Sequence, residues 1–436
     1  MSSVMINRAS ALTADGLAAR AAAQHEPAYL TERRLKALNH YLAAPMPGRH
    51  DEIWRRVEFG TLNLDAAAER APFDRLADLG PQSAQSRADN VFWGTPDQAA
   101  QDDPALLQQY WNTEVFPAGV EETYGVGGKF HSLNQALWDS GYVLHVPKGV
   151  EVELPARARF CTRDGEDGIF PHNLVVLDEG ASATVVEEYV STESGQRGLC
   201  CPQTEIILGR GAKLRYILLQ TTGPEITYIG AHSVHQYAGS RLTCVSAHFG
   251  SRLSKIFLTT KMLEPKACAH ISGLYYGVGS QQFHIDTLQH HLAPECATNL
   301  LFRGALNQSA RAVYRGLIRL ETGAQKTDAY QQNRTLLLSD DARMDSIPGL
   351  EILANDVRCS HGATATQIDP MMQFYLMSRG LTDFQARKLI LDGFFEEVIQ
   401  RFGMESVIER MRSCVDQKNG KYKATEDTET EGNCGV

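Results

Sequence analysis

The residues best suited to chemistry lie in the heptapeptide RCSHGAT at 358–364, which places a thiol two positions from an imidazole. The preceding run, 350–357, reads as extended chain, and on a strand side chains two positions apart share a face. Cys359 and His361 are therefore expected to point the same way. Thiolate and neutral imidazole are ligands for iron, copper and zinc, so the pair is a candidate for holding or passing a soft metal. Packing in a core would use the same residue types.

A second, dispersed set of imidazoles and thiols lies between 232 and 296. Residues far apart in sequence can form a ligand set only if the fold stacks them along one wall. This set leaves open an alternative function, a metal-dependent β-fold enzyme of cupin-like character. Its members are His232, His235, Cys244, His248, Cys268, His270, His284, His290, His291 and Cys296.

The elements that must position these residues are predicted to be mainly β. Residues 111–368 consist of short apolar or alternating runs punctuated by glycine. Three stretches, 174–185, 205–216 and 317–328, share an aliphatic run, two spacers, Gly-Ala and a second strand-like run. Short strands that repeat and turn at glycine favour a β-helix, in which each coil stacks on its neighbours. Two ordinary hairpin-rich sheets are the alternative.

Helical patterns flank this core. Residues 1–110 read as a helical region with a mobile connection, and 369–412 read as helical again because Pro370 suits a first helical position. The stretch 413–436 is polar and acidic, which predicts disorder. Within the second helical region, Phe394 and Phe395 are adjacent and cannot easily point the same way, so one of them is predicted to meet a partner.

Composition narrows the function. The net charge is −10, from 42 basic and 52 acidic residues, which argues against a nucleic-acid groove or a membrane-surface role. No run approaches 18 apolar residues, and the nine scattered cysteines favour a reducing, cytoplasmic setting. The sequence has no P-loop, no GxSxG, no HExxH and no CxxC, which removes the commonest ATPase, hydrolase, metalloprotease and zinc-ribbon interpretations.

With these residues in view, the chain resembles the SufB/SufD family, the core scaffold proteins of the SUF iron–sulfur cluster assembly system. The resemblance spans about 129–403 and is dense from 303 to 381. It is carried by GALNQSARAVYRG, GAQKTDAYQQNRTLLLSDDAR, LEI, CSHGAT and FYLMSRG. Within the family, the chain resembles the SufD branch. That branch has Cys-Ser-His-Gly-Ala-Thr where SufB proteins typically have a Glu-His-Glu-Ala-Thr type of sequence.

The resemblance implies a right-handed parallel β-helix with α-helical domains at both ends. It also implies a non-catalytic scaffold that pairs with a SufB-like subunit through the β-helix and binds the ABC-type ATPase SufC through 370–412. No cofactor is expected to be bound permanently; iron or a nascent cluster would be held transiently at the partner interface. His361 matches the SufD histidine placed near that cluster, with Cys359 on the same strand. A homodimer acting without SufB stays open as an alternative.

Overall fold

The computed structural model describes residues 12–60, 62–69, 78–113, 115–116, 128–162, 167–191 and 197–431. Its helices are α1 (Ala14–Ala23), α2 (Ala28–Ala43), α3 (Leu64–Glu69), α4 (Ala84–Ala88), α5 (Pro96–Asp102), α6 (Pro104–Tyr110), α7 (Gly128–Leu137), α8 (Pro370–Ser378), α9 (Asp383–Ile399) and α10 (Glu405–Glu431). Its strands are β1 (Asp78–Leu79), β2 (Phe92–Gly94), β3 (Val143–Val146), β4 (Ala156–Thr162), β5 (Asp167–Ile169), β6 (His172–Leu177), β7 (Ser182–Ser191), β8 (Gly198–Cys200), β9 (Gln203–Leu208), β10 (Lys213–Thr221), β11 (Ile226–Gln236), β12 (Arg241–His248), β13 (Leu253–Met262), β14 (Cys268–Gly277), β15 (Gln282–His291), β16 (Ala297–Leu306), β17 (Arg311–Leu320), β18 (Asp328–Leu337), β19 (Arg343–Ile352) and β20 (Arg358–Gln367).

The strands form two long sheets that face each other. The first sheet has the order β1-β4-β7-β10-β12-β14-β16-β18-β20, and the second has the order β19-β17-β15-β13-β11-β9-β6-β3-β2. Short antiparallel pairs, β1 with β4 and β2 with β3, close the amino-terminal end, whereas the later neighbours pair in parallel. From β9 onward successive strands alternate between the sheets, so the chain winds as a parallel β-solenoid. This confirms the predicted mainly β fold with helices at both ends.

The corners between the sheets explain the repeated sequence pattern. Gly180 and Gly211 turn the chain with φ of 72° and 69°, a region that glycine enters without steric penalty. The alanine after each glycine is fully buried inside the corner. Ser182 pairs with Lys213, which lies 31 positions later, so the spacing of the two glycines equals one coil.

Two adjacent arginines of α2 fasten this helix to the ends of α6 and α7. Arg33 donates to three carbonyl oxygens at and just after the end of α6, at 2.6 to 2.8 Å. Arg34 donates to two carbonyl oxygens at the end of α7, both at 3.0 Å, and pairs with Glu26 at 2.8 Å. Because the last carbonyls of a helix have no intrahelical donor, these guanidinium groups satisfy both helix ends.

At the other end of the chain, α9 and α10 pack on the outer face of the first sheet. Buried apolar residues of both helices join Leu274 and Tyr276 in one cluster. The helix α10 continues to Glu431, which corrects the prediction of disorder from 413; residues 432–436 lie outside the described residues. Val415 is buried, and the Tyr276 hydroxyl donates to Asn419 at 2.7 Å, so the solenoid holds this polar helix. In the described part of the chain, no helix is long and apolar enough to cross a membrane.

Candidate functional site

Cys359 and His361 lie on β20, the last strand of the first sheet. Cys359 is in register with Ala329 and His361 with Gln331, the residues one coil earlier on β18. Ala329 and Gln331 are each 1% exposed and face the interior of the solenoid. The thiol and the imidazole therefore lie on the inward side of the final coil. Among the described strands, none stacks beyond β19 or β20, so this inward side forms an open end face.

The two side chains meet different surroundings on this end face. Cys359 is partly buried against an apolar cluster that includes Ile318 and Leu320, and this burial raises the pKa of its thiol to about 11. The thiol therefore keeps its proton at neutral pH until a metal ion displaces it. His361 is exposed. The geometry thus presents one accessible imidazole beside one thiol with a more sheltered position.

The floor beneath His361 is a closed polar layer. The Gln331 amide nitrogen donates to the Gly316 carbonyl oxygen at 3.1 Å, and the Tyr314 hydroxyl donates to the Gln331 amide oxygen at 3.4 Å. A Cβ on Gly316 would come within 2.4 Å of both side chains, so only glycine leaves room for this pair. Because the oxygen and the nitrogen of the Gln331 amide are both hydrogen-bonded within the solenoid, this amide is part of the polar layer beneath His361.

The backbone of β20 offers a free edge along the same end face. The Arg358 amide donates to the Thr327 carbonyl on the β18 side, and donors alternate sides along a parallel strand. The amides of Cys359, His361 and Ala363 consequently point away from β18. Such a row of unpaired amides is a template for another strand.

The edge of β19 differs because it is interrupted. The Arg343 amide donates to the Ala310 carbonyl on the β17 side, so the same alternation puts position 348 on the free side. Pro348 occupies that position and has no N–H to offer. Strand addition is therefore favoured along β20 over β19.

A metal site that is complete within this chain is not found in the described residues. No group of three or more His, Cys, Asp or Glu side chains is placed there to hold a metal ion. Cys268 and His270 do lie together on β14, with Sγ and Nε2 3.7 Å apart, but on the outward face. The ligand set that the cupin-like alternative requires is thus not assembled in this part of the chain.

His232, a buried member of the dispersed set, belongs to a hydrogen-bond network inside the solenoid instead. His232 shares its ring nitrogens with the hydroxyls of Tyr216 (2.8 Å) and Tyr228 (3.2 Å), and its Nδ1 lies 3.6 Å from Glu187. Burial lowers the pKa of His232 to about 3, so its imidazole is neutral. Glu187 is fully buried and accepts from Tyr142 at 2.8 Å, while burial raises the pKa of its carboxyl. These residues form a satisfied hydrogen-bond network.

Phe394 and Phe395, one of which is predicted to meet a partner, both pack within this chain. Phe395 is 0% exposed and lies 6.0 Å from the Tyr276 ring, between centroids. Phe394 is partly buried beneath the Arg303 guanidinium, 5.2 Å from its ring centroid. Adjacent aromatics can both be covered because one faces the sheet and the other lies under an arginine. Phe395 therefore offers no surface to a partner, and partner binding by Phe394 stays a prediction.

The apolar surface of the carboxyl-terminal region lies on α8, which pattern analysis did not single out. No residue of α8 is buried, and five large apolar side chains are 42% to 73% exposed. They are Met371, Met372, Phe374, Tyr375 and Met377. An exposed cluster of large apolar side chains of this kind marks a protein-binding surface. The run MMQFYLM carried this signal in the sequence.

Comparisons with known proteins identify the family of this chain. Residues 160–394 match the family model described as SUF system FeS cluster assembly, SufBD core domain. An iron-sulfur cluster assembly SufBD family protein of Synechocystis sp. is 30% identical over 416 residues, covering 89% of this chain and 91% of that protein.

Two relatives from Bacillus subtilis represent both branches. The iron-sulfur cluster assembly protein SufD is 27% identical over 424 residues, covering 90% of this chain and 94% of that protein. The iron-sulfur cluster assembly protein SufB is 25% identical over 430 residues, covering 89% of each. Since the family model covers more than half of the 436 residues and the similarity runs nearly end to end, the chain belongs to the SufBD family of iron–sulfur cluster assembly proteins.

Proposed function

We propose that this chain is a non-catalytic, SufD-like scaffold subunit of a cytosolic iron–sulfur cluster assembly complex. It pairs with a SufB-like subunit through the open end of the solenoid and is bound by a SufC-like ATPase at its carboxyl-terminal helices. The observation that carries the proposal is the position of Cys359 and His361 on the inward side of the last strand, where none of the described strands covers them.

The donor set supports a shared site. Cys359 and His361 supply at most two ligands, whereas an iron–sulfur cluster is usually held by four protein ligands. The remaining ligands would come from the subunit that covers the end face. Covering it would also exclude water, which strengthens the interaction between a cation and a thiolate. The iron or nascent cluster is cargo in this account, and the chain's role is to hold one side of it.

The binding site for the ATPase subunit is assigned to α8 and the residues around it. The sequence lacks a P-loop, so nucleotide hydrolysis must come from another subunit. The exposed apolar side chains of α8 form a surface that such a subunit could bury. Because α9 packs on β14 and β16, a movement of the helices would be transmitted to the solenoid.

Native mass spectrometry of this chain, co-expressed with SufB-type and SufC-type subunits, tests the proposal. A defined assembly that contains all three subunits is the expected result. Recovery of this chain alone, or only as a homodimer in the presence of both candidates, would contradict it.

A further inference from the structure

One arginine on the outer face of the first sheet has no paired carboxylate in the described part of the chain. Arg334 lies on β18, is exposed and makes no ion pair with any described residue. We propose that Arg334 binds an aspartate or glutamate of the partner scaffold subunit, on a strand that adds to the free edge of β20. The inference rests on the proposed pairing of scaffold subunits and names a charge that this pairing requires of the partner.

The groups around Arg334 leave an excess of positive charge. Arg334 is in register with Arg303 on β16, so two guanidinium side chains are neighbours on adjacent strands. Arg303 is 7% exposed and pairs with Glu397 of α9, which also binds Arg401 at 3.1 Å. The hydrogen bond from Arg303 holds the pKa of the Glu397 carboxyl below its usual value. The charges of Arg401 and Arg334 lower this pKa further, so the described residues place three arginines around one carboxylate.

The remaining neighbours of Arg334 on the sheet are uncharged. On its own strand, the flanking residues of the same face are Gln332 and Leu336. Across from Arg334 on β20 lies Thr364, which is short and exposed. Like charges that face each other on adjacent strands repel. The Arg334 side chain is therefore favoured to lean away from Arg303 and over β20.

A strand added to β20 would bring a carboxylate within reach of Arg334. The amides of Cys359, His361 and Ala363 point away from β18, so a strand bound to them would continue the first sheet beyond β20. The outward residue of that strand next to Thr364 would lie two strands from Arg334, about 9.6 Å between Cα atoms. Because Thr364 is short, the long arginine side chain can cross it and meet an acidic side chain there.

Charge complementarity favours an acidic residue at this position. A carboxylate would balance the Arg334 charge and could accept two hydrogen bonds from the planar guanidinium. The whole chain carries a net charge of −10, so most of its surface repels an acidic segment. A local arginine beside the free edge therefore favours one register of the partner strand over the alternatives.

The first test reverses the charge in the full-length chain. Arg334→Glu is compared with Arg241→Glu, because Arg241 is also an exposed arginine on the outer face of the first sheet but lies on β12, four strands from β20. Calorimetry measures binding to a purified SufB-type subunit, and thermal unfolding checks that each variant is folded. Arg334→Glu is expected to weaken the affinity at least tenfold, and Arg241→Glu to change it less than twofold.

A second variant identifies the partner group directly. Arg334→Lys places an amine at the same position, and a carbodiimide is expected to link this amine to an aspartate or glutamate of the SufB-type subunit. Arg241→Lys is the control and is expected to give no such cross-link.

Three outcomes would count against the inference. Equal affinities of Arg334→Glu and Arg241→Glu, with no cross-link from position 334, overturn the assignment of Arg334 while the scaffold pairing stands. Failure of the unmodified chain to bind the SufB-type subunit overturns both. A cross-link from position 334 only to the SufC-type subunit, or only to a second copy of this chain, assigns Arg334 to another partner and overturns the inference.

Discussion

His361 is exposed, whereas Gln331, in register with it on the neighbouring strand, is 1% exposed and hydrogen-bonded on both sides of its amide. The two residues occupy equivalent positions in successive coils. The difference arises because β20 stacks on β18, whereas no described strand stacks on β20. An inward-facing imidazole at an uncovered coil is therefore available to a second protein, whereas the polar residue one coil earlier belongs to the interior.

The free edge of β20 leads to a prediction about pairing. Ala363→Pro should remove one edge N–H without breaking the ladder to β18, because the amide at 363 points away from β18. Loss of one hydrogen bond and the bulk of the ring should weaken binding to a SufB-type subunit roughly tenfold. Ala363→Val keeps the amide and is the control. Unchanged affinity of the proline variant in calorimetry would mean that no strand adds to β20.

The exposed helix α8 predicts how the ATPase binds. Phe374 is 66% exposed, and Phe374→Asp should weaken binding of a SufC-type subunit at least tenfold by placing a charge in an apolar interface. Leu42→Asp, at a 57% exposed position on α2, is the matched control. Pull-down with each subunit separates the effects, since pairing with the SufB-type subunit should survive. Retention of the ATPase by Phe374→Asp would place its binding site elsewhere.

The contacts of Arg34 predict a large contribution of this side chain to the free energy of unfolding. Arg34→Ala would leave Glu26 buried without its partner and two carbonyl oxygens at the end of α7 without a donor. Breaking a buried ion pair typically costs about 3–5 kcal/mol, so the free energy of unfolding should fall by about this much. Lys36→Ala, at an exposed position on the same helix, should change it by less than about 0.5 kcal/mol. Urea unfolding measures both, and equal midpoints would show that α2 is not a structural anchor.

The buried histidines predict loss of stability in acid. Burial lowers the pKa of four of them from 6.5 to about 3: His232, His248, His284 and His291. Below pH 6.5 the unfolded chain binds protons that the folded chain does not, so stability is complete above this pH and declines as the pH falls towards 3. At pH 5 each histidine should cost about 2 kcal/mol.

Urea unfolding at pH 7.5 and pH 5.0 measures this effect. His248→Phe removes one of the titrating groups and should make the decline with acid smaller by about 2 kcal/mol. Equal unfolding free energies at the two pH values would contradict the neutral, buried state of these imidazoles.

Much of the solenoid could be predicted from local pattern. The Gly-Ala corners repeat because each turn needs a residue with positive φ followed by a small buried residue. Gly180 and Gly211 supply the positive φ, and the alanine after each is buried. Local spacing also places Cys359 and His361 on one face. It does not reveal that β20 is the last strand, because exposure depends on whether another coil stacks on it.

The carboxyl-terminal helices show the same limit of prediction from local sequence pattern. Phe395 is buried because it packs on Tyr276, more than a hundred positions earlier in the chain, and no local pattern contains that contact. The apolar run of α8 does not reveal by itself that five of its large side chains stay exposed among the described residues. Tertiary packing thus decides which of two apolar stretches is available to a partner.

The most direct test of the account measures cluster formation by the assembled three-subunit complex carrying His361→Ala. His270→Ala is the matched control, because His270 is also exposed but lies on the outward face of β14. Iron and sulfide content and the visible absorption of the cluster are recorded after anaerobic reconstitution. The account predicts an intact complex with at least a tenfold lower cluster yield for His361→Ala and a normal yield for His270→Ala. A normal yield from an intact His361→Ala complex would contradict it.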